Sequence, residues 1–418
     1  MSSDTTAPDP AMNGRKALVN FFARSLTAFQ SSKDAFRVVC TLPHRGETAA
    51  EASGEFSAST PAPAPRRPNR DDAKAGPVES SLVVLDSSFN PPTLAHLRMA
   101  ASAVRDLQKG RSTTTTTTRG GGAGESSSGA GGEMGRRRAV RVLLLLAVNN
   151  ADKKPKPAAF GVRLGMMYAF AGDLRDEVRR RGVDGVEEEQ RQRQQEEEEE
   201  DVEVDLGLTT MPYFHDKSQA ISDTRFYARG DGGGEPEQVY LAGYDTLIRI
   251  FNPKYYHASS SSSSPGGTAV EEAEAPIRRA LDPFLGRSRL RITMRTDDEW
   301  GGEGEQVAYL ESLRDGGLED VGGRRAWAER VEMVRGRDEG EEVVSSTKVR
   351  EAASARDEEG LRRLASGQIL LHANMIEDMR QVRRDVVDIG EWAHGLIVLL
   401  MDIIEPGNLV GFKRQQAI

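Results

Sequence analysis

The apolar positions of this chain alternate between short solid runs and stretches of helical spacing. Leu82–Leu85 (LVVL) and Ala139–Val148 (AVRVLLLLAV) are unbroken runs of the kind that form strands covered on both faces. Val202–Tyr213 predicts a third strand in spite of its acidic start, and Val239–Ala242, Leu290–Met294 and Val331–Val334 predict three shorter ones. Between them, Leu94–Leu107 sets Leu97, Ala100, Val104 and Leu107 on one helical face. Phe160–Val178 does the same with Leu164, Met167, Tyr168, Ala171 and Leu174. A short amphipathic piece, Leu247–Phe251, follows the fourth strand, and another helix is expected from about Thr347. Upstream, Ala17–Val39 reads as a helix running into a strand-like FRVVC, expected to pack against the sheet edge. Alternation of this kind means right-handed crossovers and an α/β fold: a parallel sheet with helices on both faces.

Several tracts interrupt the pattern. Residues 47–77 are rich in Ala, Pro and Glu, and 109–137 hold a threonine run and Gly/Ser repeats. Residues 182–203, 228–237 and 258–270 are Glu/Gln, Gly and Ser tracts. Such composition buries too little apolar surface to offset ordering entropy, so these are expected to be disordered insertions between elements, as are residues 1–14 at the start. Of 418 residues, roughly 300 remain, enough for one substantial core. Residues 15–366 are read as that domain, and 367–418 as a divergent helical C-terminal tail.

The net charge of −9 is mostly local. Asp184–Asp205 carries twelve acidic residues against Arg191 and Arg193, which leaves the remainder near neutral. No basic patch stands out, so nucleic acid is not an expected partner. Cys40 is the single cysteine, which rules out an intramolecular disulfide or a cysteine-based metal site and suits a reducing compartment. Leu396–Ile404 is too short to span a bilayer and contains Asp402, and the opening residues lack a signal-peptide pattern. The expectation is an intracellular protein of the cytoplasm, the nucleus or both, with no membrane partner; protein partners are not indicated.

The candidate chemistry sits where strands end. Parallel sheets bind ligands at the carboxyl ends of their strands. After Leu85 comes Ser87-Ser88-Phe89-Asn90-Pro91-Pro92-Thr93, a loop stiffened by two prolines that feeds a helix N-terminus, a favourable place for phosphate. His96 lies one turn in. Far downstream, Val343–Ala352 (VVSSTKVREA) repeats the arrangement: an apolar stretch, a Ser346 suited to capping a helix, and Arg350 near its start as a fork for phosphate oxygens.

Together, SSFNPPTLAH and SSTKVR resemble the paired signatures of nucleotidyltransferases. With NNADKKPKPAAFGVRLGMM (Asn149–Met167) and LAGYDTLIRIFNPKYY (Leu241–Tyr256), in order from about residue 80 to 366, the chain resembles the nicotinamide-nucleotide adenylyltransferases, in particular the fungal cytidylyltransferase-like branch. The resemblance implies a Rossmann-like fold and attack of a mononucleotide phosphate on the α-phosphorus of ATP, giving dinucleotide and pyrophosphate. It places Thr93 and His96 on the ATP phosphates, with His96 stabilising charge on the reacting one. Ser87, Ser88, Phe89 and Asn90 form the signature loop, with Ser87 where many members have glycine. Ser346, Thr347 and Arg350 hold the triphosphate from the other side, meeting His96 over a shared anion. Gly243 and Asp245 fall beside the ribose and base. Asn149, Asp152, Lys153 and Lys156 lie where a phosphate-contacting lysine is found, Lys153 being the candidate taken here.

ATP and nicotinamide mononucleotide are the expected small-molecule partners. Mg²⁺ is expected with the ATP on phosphate oxygens and water, without a protein metal site. The same site would also serve cytidylyl transfer, ATP hydrolysis or a nucleotide-binding scaffold with the acidic and Ser/Gly tracts as arms. Trp300, Trp327 and Lys254–His257 are expected to pack rather than stack on a base. His215 and Lys217 close a strand end and are candidates for the pocket lining, and His372 and His394 stand outside the chemistry.

Overall fold

The computed structural model describes residues 10–44, 63–68, 80–108, 139–149, 160–182, 202–228, 234–256, 275–295, 301–336, 344–355, 357 and 359–360. Most of the tracts read as insertions, Lys153 with its neighbours 150–159, Trp300, His257 and the tail 367–418 fall outside these residues.

Among these residues seven strands form one sheet: β1 (Phe36–Leu42), β2 (Ser80–Asp86), β3 (Ala139–Ala147), β4 (Glu203–Thr209), β5 (Glu237–Gly243), β6 (Ser288–Thr293) and β7 (Val331–Val334). Their order is β1-β4-β3-β2-β5-β6-β7. All neighbours are parallel except β1, which pairs antiparallel with β4 at one edge. Omitting β1, the chain starts in the middle at β2, steps outward through β3 to β4, then returns to start again at β5. That is the doubly wound order, and the reversal between β2 and β5 opens a crevice at their carboxyl ends.

Side-chain alternation explains the two-faced cover. Val83, Leu85, Val142, Leu144, Leu146, Leu206 and Leu208 point to one face, where α1 (Pro10–Gln30), α2 (Leu94–Gln108) and α3 (Phe160–Gly182) bury them. Leu82, Val84, Leu143, Leu145, Tyr240 and Ile292 point to the other, under α4 (Phe214–Asp223), α5 (Tyr244–Ile250), α6 (Pro276–Arg287) and α7 (Glu303–Arg314). The solid LLLL of β3 is thus two interleaved sets, one for each core. Each fully buried leucine contributes about 2 kcal/mol relative to exposure. The last helix, α8 (Ser346–Ala355), follows β7.

Three sequence expectations change. The strand expected over Val202–Tyr213 ends at Thr209, and helix α4 starts at Phe214 with Tyr213 as its N-cap residue. Pro212 has no N–H to continue a ladder, so the chain leaves the sheet before it. Within 47–77, residues 63–68 are held against β1: Thr41 N–H donates to Ala64 O (3.0 Å), and Arg66 N–H donates to Thr41 Oγ1 (2.8 Å). Helix α6 follows the serine tract unannounced, with Pro276 in its first turn, Pro283 inside it, and Ile277, Leu281, Phe284 and Leu285 buried. No helix among the described residues is long and apolar enough to cross a membrane.

At the amino ends of β3 and β4, on the opposite rim from the crevice, lies a buried ionic cluster. Asp205, with no exposed surface, accepts from Arg141 Nε (2.6 Å), Arg141 Nη2 (2.8 Å) and Thr41 Oγ1 (2.6 Å). Arg141 also meets Glu203 (2.5 Å) and lies over the Tyr227 ring, 5.6 Å from its centroid. Burial works against the guanidinium charge, but Asp205 beside it outweighs that and drives its pKa upward. The cluster ties β1, β3, β4 and residues 63–68 together.

Candidate active site

The crevice between β2 and β5 is a cleft of about 400 Å³, a size suited to a small-molecule ligand. Its walls come from the carboxyl ends of β2, β5 and β6, the start of α2 and the start of α8.

The loop after β2 is shaped from beneath. Phe89 takes a left-handed backbone (φ 46°), uncommon for a bulky residue and kept only where the surroundings fix it. Its ring is fully buried, with centroids 6.1 Å from His96 and 6.3 Å from Phe170. From α3, the buried Arg163 donates to the carbonyl of Ser88 through Nε (2.7 Å) and Nη2, with its guanidinium over the Phe160 ring. Burial lowers its pKa to about 10, so it remains a cation at neutral pH. Sequence reasoning quoted the segment containing Arg163 without singling it out; the available signal was a charge set among Phe160, Leu164 and Met167 on a helix.

Thr93 is the N-cap of α2, since its carbonyl accepts the first helical bond from Leu97 N–H (3.1 Å). His96, three residues on, returns the favour: its Nδ1 accepts from Thr93 N–H at 3.1 Å and lies 2.8 Å from Thr93 Oγ1. This is the return half of a capping box, the N3 side chain reaching back to the N-cap N–H, with imidazole in the place usually held by Glu or Gln. Because a backbone N–H can only donate, Nδ1 of the neutral ring carries no proton. The ring proton is therefore on Nε2, which donates to Ser87 Oγ at 3.0 Å on the cleft wall. Burial pushes the His96 pKa down to about 4, and a proton on Nδ1 would also confront the Thr93 N–H. At neutral pH His96 is a neutral, rigidly aimed N–H donor.

A pH effect on folding follows. The folded-state pKa lies below the ordinary value of 6.5, so between those limits the unfolded chain binds more protons. Stability tied to His96 is complete above pH 6.5 and is lost as pH falls toward 4. Denaturant titrations across that window should show a decline that His96→Gln, which keeps a neutral acceptor in the capping box, reduces.

The second element arrives from α8. Ser346 Oγ donates to the carbonyl of Pro91 at 2.9 Å, joining two segments 255 residues apart. The cap of α8 is Ser345 rather than Ser346: Ser345 Oγ accepts from Lys348 N–H (3.2 Å), and its carbonyl accepts from Val349 N–H (3.1 Å). Capping by Ser345 frees the Ser346 hydroxyl for the cross-link. Arg350 lies within α8, one turn from its start.

The structure therefore brings Ser87, Thr93, His96, Gly243, Asp245 and Ser346 to one cleft. Ser88 is exposed with its carbonyl turned to Arg163, Phe89 is core, Asn90 is half-buried and Thr347 is exposed; these four are not among the lining residues. Asp245, in the first turn of α5, accepts from Arg295 Nη2 at 3.0 Å, and a Cβ at Gly243 would come within 2.8 Å of Asp245 Oδ1. Arg295 and Arg98 line the cleft and were missed by the sequence reading. Arg295 is set by Gln306, fully buried, which accepts from Arg295 N–H at 2.9 Å and donates to its carbonyl. His215 is absent from the lining and stacks on Tyr213, with burial lowering its pKa against an opposing pull from Asp216. Trp327 is buried, stacks on Phe251 and donates to Asp282 (2.8 Å).

Among the described residues no group of three His, Cys, Asp or Glu could hold a metal ion. Of the carboxylates lining the cleft, Asp86 pairs with Lys217 and Asp245 with Arg295.

A doubly wound parallel sheet with two helix N-termini at its switch point defines a Rossmann-like α/β protein with a crevice at the carboxyl ends of its strands. No family model matches the chain. Over 302 residues it is 26% identical to a Schizosaccharomyces pombe protein described as "Putative nicotinamide mononucleotide adenylyltransferase", covering 72% of this chain and 87% of that one. This similarity supports the nicotinamide-nucleotide adenylyltransferase family, to which the motifs point. A solved Plasmodium falciparum nicotinic acid mononucleotide adenylyltransferase, complexed with NaAD, aligns over 72% of this chain and 98% of its own at 9% identity, with a TM-score of 0.33. At that distance it carries no argument about this chain.

Proposed function

We propose that this protein transfers the adenylyl group of ATP to nicotinamide mononucleotide, forming NAD and releasing pyrophosphate. The observation that carries the reading is the Ser346–Pro91 cross-link, which sets the start of α8 against the loop leading into α2 at the rim where β2 and β5 diverge. The similarity to a curated relative of that description supports it.

On this reading the mononucleotide phosphate attacks the α-phosphorus in line while pyrophosphate departs. The protein supplies no covalent group; it aligns two phosphates and stabilises developing charge. A phosphate oxygen replaces Ser87 Oγ as the acceptor of His96 Nε2–H, whose tautomer is fixed by the Thr93 N–H on Nδ1. The N-termini of α2 and α8, with Arg350, Thr347 and Lys153 as further phosphate ligands, complete the anion cradle. Ser88 and Asn90 keep the loop in register, Phe89 acts from the core by buttressing His96, and Asp245 with Gly243 receives ribose or base. Mg²⁺ enters as part of the ATP substrate, and both cleft carboxylates being paired to cations fits phosphate and water as its ligands.

The experiment is pyrophosphate release from ATP with nicotinamide mononucleotide, nicotinate mononucleotide and no acceptor in parallel, and with CTP replacing ATP. The expected result is dinucleotide formation from ATP with a pyridine mononucleotide, nicotinamide preferred. Turnover with CTP alone, or release independent of acceptor, would sink the proposal.

A further inference from the structure

The buried Asp86–Lys217 ion pair touches neither phosphate nor acceptor in the adenylyl-transfer reading, yet one of its members forms part of the cleft. Asp86 is the last residue of β2, next to Ser87, and lines the crevice. Lys217 reaches it from α4 across a separation of 131 residues, with its side chain 5% exposed and that of Asp86 9%. The ammonium also lies 5.2 Å from the centroid of the Phe214 ring, another wall of the cleft.

A carboxylate at the mouth of a phosphate-binding loop is a liability. At short range and with little water between, like charges repel strongly, and the charge on a triphosphate multiplies the effect. Lys217 is too buried to serve as a solvated surface cation, and it is paired to the one carboxylate that adjoins the phosphate loop. We infer that Lys217 is a positioning residue that neutralises Asp86, and that the pair sets the cleft's preference for polyphosphate ligands. The inference rests on the reading that the cleft takes nucleotide phosphate, but not on which acceptor is adenylylated.

The test is binding without an acceptor, measured by calorimetry for adenosine, AMP, ADP and ATP, on full-length wild type, Lys217→Met, Asp86→Asn and the double variant, with thermal melting as a check on folding. Exposing the Asp86 charge in Lys217→Met should weaken ATP about tenfold, ADP and AMP progressively less, and adenosine not at all. The double variant should bind ATP to within about threefold of wild type, since no charge is left to neutralise. Equal weakening of all four ligands would make the pair merely structural and overturn the inference. A double variant as weak as Lys217→Met would also overturn it, because the ammonium would then be contacting phosphate itself. If Lys217→Met does not fold, Asp86→Asn decides alone: tighter ATP binding supports the inference and weaker binding overturns it. Absence of dinucleotide formation by the wild type would sink the proposed reaction and leave this binding pattern standing or falling by itself.

Discussion

Replacing His96 by Ala should lower the rate of the proposed adenylyl transfer by about 10²–10³-fold, the scale on which one preorganised donor to a developing oxyanion contributes. The geometry refines which variant is informative. His96 has two jobs: Nδ1 closes the capping box with Thr93, and Nε2–H faces the cleft. Alanine removes both and should cost about 1 kcal/mol of stability from the lost cap. His96→Gln keeps an acceptor for Thr93 N–H while aiming no ring donor at the phosphate. It should melt like wild type and still lose turnover. A glutamine variant with wild-type kcat would show that His96 is an N-terminal cap and nothing more.

The largest stability effect is expected far from the cleft, at Arg141. Its removal by Arg141→Met leaves Asp205 charged and wholly buried, with only the Thr41 hydroxyl of its named partners remaining. Breaking a buried pair from one side should destabilise by about 3–5 kcal/mol. Adding Asp205→Leu removes the stranded charge and should recover much of that loss, because a packed apolar pair of similar volume is frequently no worse than the ion pair. Denaturant unfolding of the two variants measures both. A single variant within about 1 kcal/mol of wild type would mean that water reaches Asp205.

How much of this was legible depended on whether the signal was local. Strands β2, β3, β5, β6 and β7 were readable to within about two residues, because β2, β3 and β5 are covered on both faces and form nearly unbroken apolar runs, while β6 and β7 still show short apolar segments against charged surroundings. Helices α2 and α3 were readable from their spacing. Helices α4, α6 and α7 escaped: α4 follows Tyr213 and begins at Phe214, a β-like pair, α6 carries Pro283 within it, and α7 buries only Gln306, Leu310 and Leu313. Phe89 belongs to a recognisable signature, but its deep burial could not be read from a loop of seven residues.

Composition and order along the chain by themselves determined the alternating α/β architecture, the two helix starts that meet at the cleft, and the Thr93–His96 spacing, since each depends on residues a few positions apart. What only the tertiary structure decided involves partners far apart: Ser346 on Pro91, Arg163 under Ser88, Arg295 against Asp245, Lys217 on Asp86, and Arg141 with Asp205. The reason is physical. A hydrogen bond or ion pair between remote segments leaves no periodicity in the chain, and a buried charge looks the same in sequence as a solvated one until the fold withdraws water from it.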